Sequence, residues 1–453
     1  MSGKATIRSV ELVSAVQLRT IKRGALRLLN SRPKALVGDL RHMVTELLGR
    51  RQEILRIAAA HVTPFYLIDD QALRSSIRRF SEAFRSRIPD CQIYYAMKLN
   101  PHPYILRQVV VNGFGLDASS HRELVIALNM GAKKIVFTGP AKSREGLTVA
   151  VRNAKRVIVN LDGFQELEHL GSIARRSQRT VRAGVRVFTG AYSRWNKFGI
   201  PLTELKTFFE KARRHRFVDL QGIHAHMSWN RDAAPYAEAL RQISSYLKKN
   251  LTNQQRTQIR FIDFGGGFRP YRGEGYYPAT TDQGEIIEIV SRYLHTSVRY
   301  RHRYFLVKSV PIEQYAEGIG QAITRYLRPL GEFAYFTEPG RIICNQAMHI
   351  VLRIADIKPQ GIIIADGGNN LIGWERFEYY YFPLINLTHP SATQEKKALI
   401  YGNLCLLEDI WGHYCYAKKF AVGDVLLVPY QGAMAYTLAQ QFIHPIPPVY
   451  HLR

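Results

Sequence analysis

The chain has 453 residues, 46% hydrophobic and 22% charged, and its 63 Lys and Arg against 36 Asp and Glu give a formal net charge of +27. That length predicts two domains, and the apolar content is that of a chain with a packed core, which excludes a disordered protein. No apolar run approaches the roughly 20 residues a membrane-spanning helix needs, and the first residues lack the charged, apolar, small-residue order of a secretory leader, so no transmembrane segment and no export are expected.

Cys91, Cys344, Cys405 and Cys415 lie far apart and form no Cys-x-x-Cys pair. A disulfide framework or structural zinc site is therefore not expected, and a reducing cytoplasm is. The basic balance would suit a nucleic acid or a membrane surface, but there is no zinc-finger or RNP1-like pattern, so no nucleic-acid partner is expected. A basic surface also attracts small acidic ligands, phosphate-bearing cofactors among them.

Residues 1–58 are basic and helix-prone, and Arg41–Ala60 spaces its apolar residues roughly as an amphipathic helix would; such a helix can pack on the main body, mediate assembly or lie on a membrane, and packing, the commonest outcome, is expected. From Thr63 the pattern alternates. The run TPFYLIDD predicts a strand, QALRSSIRRFSEAF a helix and CQIYYAM a strand; PYILRQVVVNG is a helix closed by Gly113, and GFGLDAS is a strand. Ser120-x-x-Glu123 reads as a capping box for the next helix, KKIVFTG as a strand and RVIVNLDG as another, followed by an Asp162-x-x-Gln165 cap. Strands at VRAGVRV, LQGIHAHMS and RFIDFGGGF continue the series.

Short apolar strands alternating with helices imply a parallel sheet, and about eight such units predict a (β/α)8 TIM-type barrel over 59–341, with its first strand free to join the second domain. Beyond about residue 342, strand-like runs separated by turns predict a C-terminal β-rich domain, a β-barrel or sandwich, over 342–453. Two stretches read as insertions: 270–305, and the tyrosine-rich FEYYYF at 377–382.

Active residues of such barrels sit at the C-terminal ends of strands, and Lys98, Asp117, His226 and Gly265–Gly267 all fall at such ends. A desolvated lysine there becomes a nucleophilic amine able to form a Schiff base, although one lysine alone is usually a surface side chain. Gly265, Gly266 and Gly267 expose backbone N–H groups to a phosphate, or simply make a tight turn. Glu338 could hold a ring N–H and Arg341 a phosphate or carboxylate, or the two could be a turn with an ion pair. His224 and His226 share a strand face; a metal pair would need further ligands, and a histidine stacked on a ligand ring or satisfied in the core fits as well.

The order is more specific than its parts. Lys98 in YAMKLN, DASSHREL at 117–124, GIHAHMS at 222–228, DFGGGF at 263–268 and EPGR at 338–341 together resemble the fold-type III pyridoxal-phosphate decarboxylases, the family of the diaminopimelate, ornithine and arginine decarboxylases. The resemblance runs from about Thr63 to the C-terminus and takes in TGPAKS at 138–143, NKFGI at 196–200, IADGGNN at 364–370 and GNLCLLED at 402–409. It implies a barrel with a β domain, working as a homodimer on an amino-acid substrate with sites at the interface. It implies that Lys98 carries pyridoxal 5'-phosphate, that Glu338 bonds the pyridine nitrogen, that His226 stacks on the ring and that Asp117 sits beside the lysine linkage. The phosphate would lie on Gly265, Gly266, Gly267 and Arg341, with Ser228 and Tyr436 nearby. Cys405, reaching in from the partner subunit, would return a proton after decarboxylation. Asp366 matches a substrate-side aspartate.

The chain departs from that pattern in several places. After the stacking histidine, relatives usually have Gly-Ser; here Met227-Ser228-Trp229 follows. Diaminopimelate decarboxylases place an acid after the cysteine, where this chain has Leu406, and acids return at Glu408 and Asp409. Their arginine after Asn-Asp-Leu-Ile is replaced by Gly373, with Arg376 nearby, and the usual Gly-Ala-Tyr reads Gly432-Ala433-Met434, with Tyr436 two residues on. Losing two charged anchors predicts a substrate other than meso-diaminopimelate, such as a basic amino acid or a siderophore-type diamino-acid conjugate. An amino-acid racemase on the same cofactor would carry an arginine where Glu338 stands, and a non-catalytic binding or regulatory homologue would have lost Lys98 or the glycine loop; both are retained.

Overall fold

The computed structural model describes residues 14–31, 37–190, 197–271, 274–276, 281–295, 304–373 and 380–453. Arg376, Asn196 and parts of the N-terminal extension, the 270–305 stretch and the 377–382 run lie outside them.

Eight parallel strands close a barrel in the order Val157–Leu161, Ile135–Phe137, Gly115–Ala118, Cys91–Ala96, Ala334–Thr337, Phe261–Asp263, Val218–His224 and Val181–Phe188, the last pairing back to the first. Their residues are buried almost without interruption, as expected when helices cover one face and side chains fill the other. The helix Asp70–Arg87 shows how the cover is made. Asp69 caps it by accepting from Ala72 N at 2.8 Å, and Leu73, Ile77, Phe80 and Phe84 turn inward.

The strand Phe65–Asp69 does not enter the barrel. It runs antiparallel to Met348–Ile357 and parallel to Val449–Leu452 in an eight-stranded sheet otherwise built from residues beyond 347. Segments before and after the barrel thus share the β domain. The segment Gly432–Thr437 reaches from this domain to the end of the strand that carries Lys98. Met434 N and Thr437 Oγ1 both donate to Leu99 O, at 2.7 and 3.1 Å, and Asn100 Nδ2 donates to Gly432 O at 2.8 Å.

The expected single helix over Arg41–Ala60 is two, Val37–Gly49 and Arg51–Ala60. They break at Arg50, whose guanidinium bonds Glu53 and the Arg453 carbonyl. They do pack on the body: Leu40, Met43, Val44, Leu47, Ile54 and Ala58 are buried with Phe65, Leu67, Val351, Ile385 and Leu427 of the β domain. The two inserted stretches meet each other, since Gly275–Tyr276 pairs with both Phe305–Leu306 and Tyr380–Tyr381. Tyr304 and Tyr381 stack at 3.6 Å, and each donates its hydroxyl to one oxygen of Glu395 at 2.6 Å.

Two capping readings fare differently. Ser120 caps its helix through Glu123 N, while the Glu123 carboxylate accepts from Ser119 N. The Asp162/Gln165 cap is replaced: the N-cap is Gly163, because Glu166 takes Asp162 N at 2.9 Å and Asp162 accepts from Gly199 N instead.

Candidate active site

Lys98 stands in the single turn Met97–Leu99 that ends its strand, with Nζ 4.0 Å from Asp117 Oδ2. Three carboxyl groups converge below it from three strands. Asp117, Asp263 and Glu338 are each at most 1% exposed. Glu338 Oε1 accepts from Thr138 Oγ1 at 3.2 Å, and its Oε2 lies 3.2 Å from His226 Nδ1 and 3.4 Å from His224 Nε2. Asp263 accepts from Gly265 N at 2.9 Å and Asn160 Nδ2 at 3.3 Å. Neither oxygen of Asp117 has a partner in hydrogen-bonding geometry among the described residues.

Like charges this close do not all ionise. Burial, and then the charge of Glu338, push Asp117 up to about 8 and Asp263 well above its ordinary range. Burial alone would raise Glu338 too, but its contacts with His224 and His226 hold it well below the usual carboxylate range. Burial also drives His226 down to about 3 and lowers His224. Both rings are therefore neutral near pH 7. The cluster concentrates its negative charge on Glu338.

Beside it, Gly265, Gly266 and Gly267 leave no room for a side chain. A Cβ on Gly266 would fall 2.0 Å from Glu338 O and one on Gly267 2.0 Å from Met227 O, and Gly265 and Gly267 have φ of +69° and +89°. Arg341 lies at the rim, but it already has a protein partner: Nη1 bonds both oxygens of Glu274 at 2.8 Å. Arg269 joins the same carboxylate at 3.2 Å, and the Trp229 ring packs over Arg341 at 4.3 Å and Arg269 at 5.4 Å.

The sequence-predicted residues separate into two groups. Lys98, Asp117, His226, Gly265–Gly267 and Glu338 come together. Ser228 turns its hydroxyl toward His226 Nε2, 3.4 Å away. Tyr436 packs edge-on against Tyr66 and His102, at 5.5 and 5.4 Å. Asp366, Asp409 and Glu408 lie in the β domain. Asp366 accepts from Arg353 N and Thr63 Oγ1, and Asp409 accepts from Asn369 N and Leu404 N, so both acids are spent on holding turns. Cys405 and Glu408 are exposed on the surface of this chain. Arg376 lies outside the described residues.

Sequence reasoning passed over Thr138, Asp263, Asn160 and Glu274. Asp263 stands two residues before the glycine loop and Thr138 opens TGPAKS, so two of the four had a local signal; Glu274 had none. His224, His226 and Glu338 offer donor atoms within 4.8 Å of one another. The carboxylate left open by the sequence as a third metal ligand is thus present in space.

A buried anionic carboxylate, a lysine amine, and a glycine cradle closed to any Cβ are a set of groups that fits pyridoxal phosphate. Residues 74–345 match the family model described as the pyridoxal binding domain of pyridoxal-dependent decarboxylases. The chain belongs to this family. Diaminopimelate decarboxylase of Aquifex aeolicus is 25% identical over 418 residues, 88% of each chain. The L-glutamyl-[BtrI acyl-carrier protein] decarboxylase of Niallia circulans is 25% identical over 423 residues, 87% of this chain and 90% of that one. The structure of Helicobacter pylori diaminopimelate decarboxylase complexed with L-lysine superposes with a TM-score of 0.71 at 22% identity, over 88% of this chain and 94% of the other, a likeness of fold. The protein is a pyridoxal-phosphate-dependent carboxy-lyase, built as a TIM barrel with a β-rich C-terminal domain. Among the described residues no helix is long and apolar enough to cross a membrane.

Proposed function

We propose that this decarboxylase acts on a basic amino acid or a diamino-acid conjugate, and not on meso-diaminopimelate. The observation that carries this is Gly373. It has φ +74°, and a Cβ there would fall 2.6 Å from Leu438 Cβ. The backbone is thus set against any side chain where diaminopimelate decarboxylases carry a carboxylate-binding arginine, and Leu406 stands where they carry an acid. The distal end of meso-diaminopimelate, with its paired carboxylate and amine, would meet neither anchor. The Niallia circulans relative, whose named substrate is a glutamyl group on a carrier protein, supports the conjugate arm of this reading.

Pyridoxal phosphate, when bound, supplies an electron sink for the carbanion left by loss of CO2. The chain's own groups do the rest. Lys98 presents the amine that would hold the cofactor. Glu338, ionised, would accept a hydrogen bond from a protonated ring nitrogen and so favour the charged ring. The side-chain-free Gly265–Gly267 loop would let the phosphate approach the backbone closely, Gly265 N and Gly266 N being held by Asp263 and His226, with Arg341 at the rim. His226 covers one face of the position. A homodimer in which the Cys405 thiol returns the proton in a second copy is part of the proposal, and the exposure of Cys405 on this chain supports it.

The test is CO2 release from meso-diaminopimelate, L- and D-lysine, ornithine, arginine and their side-chain-acylated forms, with the cofactor-loaded enzyme. We expect kcat/KM for one of the others to exceed that for meso-diaminopimelate at least tenfold. Preferred turnover of meso-diaminopimelate would overturn the reading.

A further inference from the structure

We propose that His224 is a positioning residue for Glu338, donating its Nε2–H to Glu338 Oε2 and so keeping that carboxylate anionic toward the cofactor ring. This rests on the reading that Glu338 receives the ring nitrogen.

The argument turns on which imidazole has a proton to give. Gly266 N donates to His226 Nδ1 at 3.2 Å. A nitrogen that accepts has its lone pair committed and bears no hydrogen, so in a neutral His226 the proton is on Nε2, the atom that faces Ser228 Oγ at 3.4 Å. His226 Nδ1 therefore has nothing to donate to Glu338 Oε2, although it lies 3.2 Å away. His224 is in the opposite position. It is 0% exposed, and neither ring nitrogen has a hydrogen-bond partner within bonding geometry. Its Nε2 stands 3.4 Å from Glu338 Oε2. A neutral buried imidazole carries one N–H that must find an acceptor, and a small ring rotation closes this one. Thr138 holds the other oxygen. With a donor fixed on each oxygen, Glu338 stays ionised and keeps a free lone pair for a ring N–H.

The two histidines of His224-Ala225-His226 thus do different work. His226 borders the site and is held by the glycine loop. His224 lies behind Glu338 and acts only through it.

The test uses the ring nitrogen itself as the probe. Apoprotein is titrated with pyridoxal phosphate and with its 1-deaza analogue, in which that nitrogen is a C–H, and affinities are read from tryptophan fluorescence. Wild type is expected to prefer pyridoxal phosphate at least tenfold. His224→Gln, whose amide nitrogen takes the place of Nε2, is expected to keep most of that preference. His224→Leu is expected to lose most of it while binding the deaza analogue as wild type does. Should the Leu variant fail to fold, His224→Asn, whose amide stops short of Glu338, takes its place. If wild type shows no preference, the reading of Glu338 fails. If wild type shows it and the Leu or Asn variant retains it in full, Glu338 stands and the role of His224 is overturned.

Discussion

Replacing Asp117 by asparagine tests how the buried cluster divides its charge. Burial, with Glu338 next, pushes this carboxyl from 3.8 up to about 8 in the folded apoprotein. The unfolded chain ionises it near the ordinary value of about 4. Between about pH 4 and pH 8 the folded state therefore holds a proton that the unfolded state has lost, and stability that is complete below pH 4 drains away as the pH climbs through 8. The slope is about 1.4 kcal/mol per pH unit, so the loss from pH 5.5 to 7.5 is about 2.5 kcal/mol. At the usual unfolding entropy per residue, that is about 2–3 °C for a chain of this length. The Asp117→Asn variant keeps the shape of the side chain without the titration. Thermal unfolding of the two apoproteins across pH 5.5–8.5 should show wild type falling against the variant by that amount over this interval. Parallel profiles would mean that Asp117 is ionised when folded, and that the negative charge is not concentrated on Glu338.

Lys98→Ala should abolish the visible absorption of bound cofactor and reduce decarboxylation to background, while thermal stability stays within about 1 kcal/mol of wild type, since the side chain is partly exposed and Asp117 is 4.0 Å from its Nζ. Retention of the visible band would assign the linkage to another amine. In Gly266→Ala the new Cβ would sit 2.0 Å from Glu338 O, so the glycine loop and Glu338 must part by more than 1 Å; cofactor affinity should fall about 100-fold, and an unchanged titration would refute the cradle. Removing residues 1–60 uncovers Phe65, Leu67 and Val351 of the β sheet, with roughly 10 kcal/mol of gross apolar burial lost. The truncated protein should aggregate on gel filtration, and a monodisperse product with an unchanged melting temperature would show that the helices are dispensable.

Much of the architecture was legible because its signals are local. Short apolar runs closed by glycine, such as Tyr104–Gly113 leading into Gly115–Ala118, announce a helix and a strand whatever surrounds them. The strand Phe65–Asp69 was harder, since its sequence is equally that of a barrel strand; its partners Met348–Ile357 and Val449–Leu452 are nearly 300 and 400 residues away. The helix break had a local signal in Gly49, which ends the first helix, but the bond from Arg50 to the distant Arg453 carbonyl had none.

The amino-acid sequence by itself determined the chemistry on offer: a lysine at a strand end, a glycine triplet, a Glu-Pro-Gly-Arg turn, and an order of motifs that few folds share. Such features depend on residue type and spacing, which the chain carries without folding. Tertiary structure decided what those groups are. Three carboxyl groups from three strands had to share one dry space before one could be kept anionic and two driven toward their neutral forms. Arg341 had to meet Glu274 across 67 residues, and His224 had to lie behind Glu338 while His226 was taken by Gly266. Charge state and proton position depend on distance and burial, and these exist only once the barrel has closed.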